Sequence, residues 1–300
     1  MKLRGCGTAL VTPFKQDGRV DEPGLCELVR WQVESGIDFL VPCGTTGETP
    51  TLTHDEWLQV VDLTIETADG RVPVMAGATS NNTREAVAKA KEISARPGVD
   101  FVLTATPYYN KPTQEGIYQH FRAIADVSQK PLMLYNIAGR TGTNIETATL
   151  LRLAQHRNII AVKEASGNIA QIAEVCASVP ENFQVFSGDD AVTLAVIGLG
   201  GAGIVSVVSN EIPAEMAAMT HAALSNKWQT ARMLFKKYLP LMQANFLESN
   251  PCPAKAVLAM MGHIEEVLRL PLVPVRKETR VKLEQVATEL GLLQPHPVVR

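Results

Sequence analysis

Residues 159–165 read Ile159-Ile-Ala-Val-Lys-Glu-Ala165, preceded by Asn158 and followed by Ser166-Gly-Asn168. Five of these seven residues are apolar, and the short run with a turn behind it suits a buried strand. A strand covered on both faces is a continuous apolar run, and Lys163 interrupts this one near its end. An ionised lysine is almost never fully buried without a partner. Burial lowers the pKa of an amine and frees its lone pair to attack a carbonyl, which is how a Schiff-base lysine is activated. The alternative is a strand-end lysine that reaches solvent or pairs with Glu164.

Seven more β-rich runs flank this one, at 7–11, 39–43, 72–77, 101–104, 132–135, 184–187 and 204–208. Most lie 25 to 35 residues apart, the length of a βαβ unit. Amphipathic stretches over 22–35, 55–68, 83–95, 114–127 and 170–179 separate them, and Thr53 and Thr113 stand as helix N-caps with acids in the first turn. Eight strands alternating with helices predict a closed parallel (β/α)8 TIM barrel, with a doubly wound open sheet as runner-up. From about Ser225 the β-rich runs stop. Helices are expected over 227–248, 253–261 and 277–290, broken at Pro251/Pro253 and Pro271/Pro274. The chain thus divides into a barrel over 1–224, which holds the active site, and a C-terminal helical appendage over 225–300.

Composition narrows the function. With 300 residues, 46% of them hydrophobic and 20% charged, the chain has the make-up of a globular α/β barrel. A net charge of −3 gives no electrostatic reason to expect a nucleic-acid or anionic-membrane partner. No apolar run approaches the ~20 residues of a membrane span, and no signal-peptide core follows Met1, so a cytoplasmic location is expected. Five dispersed cysteines, odd in number, suggest reduced thiols.

In such a barrel the active site forms at the C-terminal strand ends. Those ends carry Gly44-Thr45-Thr46-Gly47-Glu48, Gly77-Ala78-Thr79-Ser80-Asn81, Thr106-Pro107-Tyr108-Tyr109-Asn110, Tyr135-Asn136, Lys163, Ser187-Gly188-Asp189-Asp190 and Ser206. The opposite ends (Asp38, Val72, Asp100, Pro131) bear no comparable set. Hydroxyls, a phenol, an amine and the Arg140 guanidinium therefore converge on one face. Tyr135 ends the strand beside Lys163 and is placed to move protons at an imine; alternatively it is a core-rim tyrosine. Thr45 and Thr46 offer hydroxyls and backbone N–H groups to a carboxylate, or form a plain glycine-bracketed turn. Arg140 offers a bidentate grip on a second carboxylate, or is a solvated loop charge.

Other signals are set aside. Gly198-Leu-Gly-Gly-Ala-Gly203 fits the dinucleotide fingerprint, but it follows a helix and precedes a strand, the reverse of the required order. The six histidines have no paired ligand spacing, so no metal is expected. Cys43 reads as a small buried residue, and Asp189-Asp190 as a helix N-cap.

Gly44-Thr-Thr-Gly-Glu48, Pro107-Tyr-Tyr-Asn110, Tyr135-Asn136 with Gly139-Arg-Thr-Gly142, Val162-Lys-Glu-Ala-Ser-Gly167 and Ser187-Gly-Asp-Asp190 together resemble the signatures of the dihydrodipicolinate synthase/N-acetylneuraminate lyase family of pyruvate-dependent class I aldolases. The similarity spans nearly the whole chain, including Asn250-Pro-Cys-Pro253. The resemblance implies that Lys163 forms an imine with pyruvate, held by Thr45, Thr46, Gly188 and the backbone of Val205. Tyr135 would pass protons through Thr45 to Tyr109, which in this family reaches in from a neighbouring subunit of a homotetramer, a dimer of dimers. The enamine would attack L-aspartate 4-semialdehyde, held by Arg140, to give 4-hydroxy-tetrahydrodipicolinate for lysine and diaminopimelate synthesis without a cofactor. Sugar-acid lyases of the neuraminate or keto-deoxy-gluconate type lack the Gly-Arg-Thr-Gly segment and are the alternative. His54, Asn81, Glu85 and Tyr108 match positions that bind inhibitory L-lysine in some members; Trp57 stands where enterobacterial-type enzymes have histidine, so weak inhibition is expected. A barrel that had become a mere sensor or scaffold would first lose Lys163, Tyr135 or Arg140, and all three are present.

Overall fold

Strand periodicity decides which side chains enter the barrel and which leave it. The computed structural model describes residues 3–293. Among them run β1 (Gly5–Ala9), β2 (Phe39–Val41), β3 (Met75–Gly77), β4 (Phe101–Ala105), β5 (Leu132–Asn136), β6 (Ile159–Glu164), β7 (Gln184–Ser187) and β8 (Gly203–Ser206). Between and after them lie α1 (Glu22–Glu34), α2 (His54–Ala68), α3 (Thr83–Ser94), α4 (Gln114–Val127), α5 (Ala138–Thr141), α6 (Thr147–Leu153), α7 (Ile169–Ser178), α8 (Thr193–Gly198), α9 (Pro213–Leu224), α10 (Trp228–Ala244), α11 (Cys252–Met260) and α12 (Lys277–Glu289). The strands pair in parallel in the order β2-β1-β8-β7-β6-β5-β4-β3. A parallel bridge between Leu40 and Val74, with the Leu40 N–H donating to the Pro73 carbonyl at 3.0 Å, closes the ring between β2 and β3. The fold is the expected (β/α)8 TIM barrel followed by helices, and the open sheet is excluded. Residues 1–2 and 294–300, the ends of the two expected segments, lie outside the described residues.

Two apolar clusters follow from the period of two along each strand. Ala9, Phe39, Val41, Met75, Phe101, Leu103, Met133, Tyr135, Ala161, Phe186 and Val205 form one inside the barrel. Leu40, Ala76, Val102, Leu132, Leu134, Val162, Val185 and Ile204 belong to the larger one between strands and helices. Small residues make this closure possible. A Cβ at Gly7 would strike the Phe39 ring, and one at Gly77 would lie 1.8 Å from the Cys43 carbonyl oxygen.

The outer helices begin where their caps dictate. Thr53 accepts from the Glu56 N–H while Glu56 reaches back to the Thr53 N–H, a capping box for α2. Thr113 likewise accepts from the Gly116 N–H at the start of α4. Differences from the sequence reading have physical causes. β1 and β8 end earlier than the apolar runs at 7–11 and 204–208, which run on because Leu10, Val11, Val207 and Val208 are buried beyond the strand ends. The α9 helix lacks an amphipathic signature because it is buried on two sides, with Met216, Ala217, Met219, Ala222 and Ala223 all inaccessible. The segment 198–203 does run from α8 into β8, in helix-to-strand order. At the barrel's other end the acids serve the backbone: Asp38 accepts from the Cys6 N–H at 2.7 Å, and Asp100 from the Val74 N–H at 2.9 Å. No helix of the described residues is long and apolar enough to cross a membrane.

The helices after the barrel, α10–α12, are anchored by charge as well as by apolar contact. Lys255 on α11 is fully buried and donates to Glu48, also fully buried, at 2.6 Å and to the Thr12 carbonyl at 2.9 Å. The other Glu48 oxygen accepts from the Arg269 N–H at 3.0 Å, so the pair is well satisfied. Removing one partner of a buried pair strands the other charge, whereas replacing both by neutral groups can be nearly free. Lys255→Met should therefore destabilise the chain by about 3–5 kcal/mol in urea unfolding. Glu48→Gln with Lys255→Met should recover most of that loss; equal stability of the single and double variants would contradict this.

Candidate active site

The amine identified in the sequence points into the barrel. Along β6, Ala161 and Lys163 face the lumen, while Val162 and Glu164 face the helix layer. Lys163 and Glu164 thus cannot pair. Glu164 instead accepts from the Asn136 side-chain amide at 2.9 Å and from the Ser166 hydroxyl at 2.8 Å, outside the barrel. Lys163 is 4% exposed, so it does not reach into solvent either. Its neighbours in register are Tyr135 on β5 and Phe186 on β7. The amine lies 4.2 Å from the centroid of the Tyr135 ring. Gly188 fits directly against its stem: a Cβ there would come within 2.9 Å of the Lys163 Cγ and Cε. Any larger residue would push the lysine out of place.

Burial governs the electrostatics. It brings the Lys163 amine down to about 8, against an upward pull from the Asp190 carboxylate and a further downward push from Arg140. Near neutral pH the amine is therefore far easier to deprotonate than an ordinary lysine. Tyr135 moves the other way: burial raises its phenol to about 12, offset in part by Arg140 and by the Thr45 side chain. It keeps its proton, as a group that donates and recovers one must.

A cavity of about 430 Å³ opens at Tyr135, with Thr45, Ile137 and Arg140 also in its wall, and Lys163 lies behind the Tyr135 ring. The turn after β2 is a short 3₁₀ helix over Thr45–Gly47, closed by Glu48 at φ 52°. Thr45 faces the cavity, while Thr46 is buried and its hydroxyl accepts from the Asn250 side-chain amide at 2.9 Å. Arg140, on α5, donates to the Asn250 carbonyl at 3.0 Å. Val205 lies on β8 inside the barrel. Lys163, Tyr135, Thr45, Thr46, Gly188, Val205 and Arg140 thus gather at one end of the barrel. Tyr109 does not join them: its side chain is 88% exposed, on a left-handed backbone at φ 73°.

The four residues matched to a lysine site are only partly gathered. Glu85 and Tyr108 line the same cavity, and Asn81 donates to the Tyr108 carbonyl at 3.2 Å. His54 pairs instead with Glu92 at 3.1 Å. Trp57 is buried, and its indole N–H donates to the Gly77 carbonyl at 2.9 Å.

One reading changes. Asp189 does cap, accepting from the Ala191 N–H at 2.9 Å. Asp190 is not a cap: it is fully buried and accepts from the Ser206 hydroxyl at 2.5 Å and the Val207 and Val208 N–H groups at 3.1 and 3.3 Å. It holds the backbone that follows Val205, and burial raises its carboxyl to about 6. Asn250 is the residue that sequence reasoning left without a role. Its partners are more than 100 positions away, and no spacing rule reaches that far. Cys43 is buried, with its thiol pushed up by desolvation, as suits packing rather than nucleophilic attack. Among the described residues no group of three or more His, Cys, Asp or Glu is arranged to hold a metal ion.

A lumen amine beside a phenol, with that phenol in the wall of a cavity bearing hydroxyls and a guanidinium, is the equipment for imine chemistry on a carboxylated carbonyl compound. Comparison with known proteins agrees. Residues 2–290 match the model of the dihydrodipicolinate synthetase family. A 4-hydroxy-tetrahydrodipicolinate synthase of Koribacter versatilis is 67% identical over 294 residues, covering 98% of each chain. The structure of dihydrodipicolinate synthase from Thermotoga maritima superposes with a TM-score of 0.95 at 42% identity, covering 98% of this chain and 100% of that one. That of Acinetobacter baumannii dihydrodipicolinate synthase, complexed with pyruvate, gives 0.94 at 39% identity, covering 97% and 99%. The chain belongs to the dihydrodipicolinate synthetase family of class I aldolases.

Proposed function

We propose that this chain condenses pyruvate with L-aspartate 4-semialdehyde to 4-hydroxy-tetrahydrodipicolinate, a step in lysine and diaminopimelate synthesis. The observation that carries it is the buried Lys163 amine beside Tyr135, which with Arg140 walls the cavity. Free amine attacks the pyruvate ketone, water leaves, and an iminium forms on Lys163. Tyr135 supplies and recovers the protons of these steps. The pyruvate carboxylate is received by Thr46, the turn at Thr45 and the backbone of Val205, with Gly188 leaving room for the lysine stem. Loss of a methyl proton gives the enamine, whose carbon attacks the semialdehyde carbonyl. The semialdehyde's own amine then displaces Lys163, closing the ring and freeing the enzyme. Arg140 holds the semialdehyde carboxylate.

Tyr109 enters this reading from a neighbouring copy, where its exposed phenol extends the proton path from Tyr135 through Thr45; the assembly is a homotetramer built as a dimer of dimers. Residues 1–224 form the catalytic barrel, residues 225–300 a supporting appendage, and the enzyme works in the cytoplasm. No cofactor takes part.

The test is turnover with both substrates. Wild-type chain should consume pyruvate and aspartate semialdehyde together and leave N-acetylneuraminate and keto-deoxy-gluconate uncleaved; sugar-acid cleavage without condensation would contradict the proposal. Arg140→Ala should raise the KM for the semialdehyde by about 10- to 100-fold, the weight of a charge-assisted carboxylate contact, with a much smaller effect on the pyruvate KM. Regulation gives a separate expectation. With Trp57 buried and His54 turned to Glu92, the matched lysine site is incomplete, and millimolar L-lysine should leave most of the activity intact. Strong inhibition at that concentration would contradict this.

A further inference from the structure

Asn250 stands just before α11, and joins Thr46, in the turn after β2, to Arg140, which lines the cavity from α5. Its side-chain amide donates to the Thr46 hydroxyl at 2.9 Å, and its backbone carbonyl accepts from the Arg140 guanidinium at 3.0 Å. The residue is buried, and its side-chain oxygen has no partner. A buried amide normally has both ends satisfied. Here its one side-chain hydrogen bond is spent on Thr46.

That bond has a chemical consequence. A hydroxyl has one hydrogen and two lone pairs. Because Thr46 accepts from Asn250, its own hydrogen is free to be donated elsewhere, and donation to one side of a hydroxyl strengthens the bond it makes on the other. Among the described residues no acceptor takes the Thr46 hydrogen, whereas two nearby hydroxyls are committed: Thr12 donates to the Gly47 carbonyl at 2.7 Å and Thr49 to the Gly44 carbonyl at 2.9 Å. The turn is in turn held from below by Glu48, through Lys255 on the same α11 helix.

We propose that Asn250 is a positioning residue for both substrates: its amide aims the Thr46 hydroxyl proton at the pyruvate carboxylate, and its backbone carbonyl fixes Arg140 for the semialdehyde carboxylate. This deepens the proposed reaction and rests on it. The two arms are separable, because side-chain substitutions remove the first and leave the second.

Steady-state kinetics with both substrates test this. Asn250→Ala should raise the KM for pyruvate about three- to tenfold, the weight of one hydrogen bond, and leave the semialdehyde KM within about twofold. Asn250→Asp, which keeps the shape but presents an acceptor and a negative charge, should raise the pyruvate KM further. In a Thr46→Val background the Asn250→Ala change should have no additional effect on pyruvate, since the hydroxyl it acts through is gone. An unchanged pyruvate KM in Asn250→Ala or Asn250→Asp would overturn the inference. So would a parallel rise in both KM values, or an Asn250 effect that persists in full without the Thr46 hydroxyl. Failure of wild-type chain to turn over pyruvate would overturn the reaction itself, and the inference with it.

Discussion

Desolvation of one amine is the constraint on which the rest of the structure depends. Lys163 sits among Tyr135, Phe186 and the bare backbone of Gly188, where an ammonium has lost its water and, among the described residues, gained no ion pair. Two charges compete over it. Asp190 favours the protonated form, and Arg140 opposes it, but burial is the largest influence and leaves the amine near 8. A strand period of two makes this possible: it turns Lys163 inward and sends its sequence neighbour Glu164 outward to Asn136 and Ser166. Were the register shifted by one residue, the carboxylate would enter the lumen and the amine would join the helix layer.

The surrounding elements keep that amine in a defined setting. Asp190 gathers the backbone after β8, which carries Val205 two strands from the lysine. The turn after β2 carries Thr45 and Thr46, and is held not by the barrel alone but by the helices that follow it. Glu48 closes that turn in a left-handed conformation and is gripped by Lys255 and the Arg269 backbone. The appendage therefore has a chemical reason to exist: a 3₁₀ turn of three residues has few contacts of its own, and the buried pair supplies them. The same helices bring Asn250 to Thr46 and Arg140.

Much of this was legible in the sequence, for identifiable reasons. Eight short apolar runs at βαβ spacing sufficed for the barrel, because parallel strands buried on both faces leave a continuous hydrophobic trace. Lys163 was visible as an interruption of such a trace, and Tyr135 by its place at the end of the adjacent run. Helix α9 was not visible, since burial on two sides erases the polar face on which helical periodicity depends. The distinct jobs of Asp189 and Asp190 were equally hidden: adjacent residues of one type differ only through what the fold brings to each. Asn250 and Lys255 escaped because their partners lie over 100 and 200 residues away. Tyr109 had a role only through the family resemblance, and within its own chain its side chain is exposed and apart from the lysine.

Reductive trapping with pyruvate and cyanoborohydride, followed by mass mapping of the adduct across pH, bears most directly on the lysine. The account predicts a single adduct, on Lys163, whose rate of formation rises with pH as the ammonium is lost and levels off above about 8. At pH 6 the rate should be roughly a hundredfold below the plateau, the free-amine fraction expected two units under such a pKa. An adduct on another lysine, or a Lys163 rate that keeps climbing past pH 10 like that of an exposed amine, would contradict it.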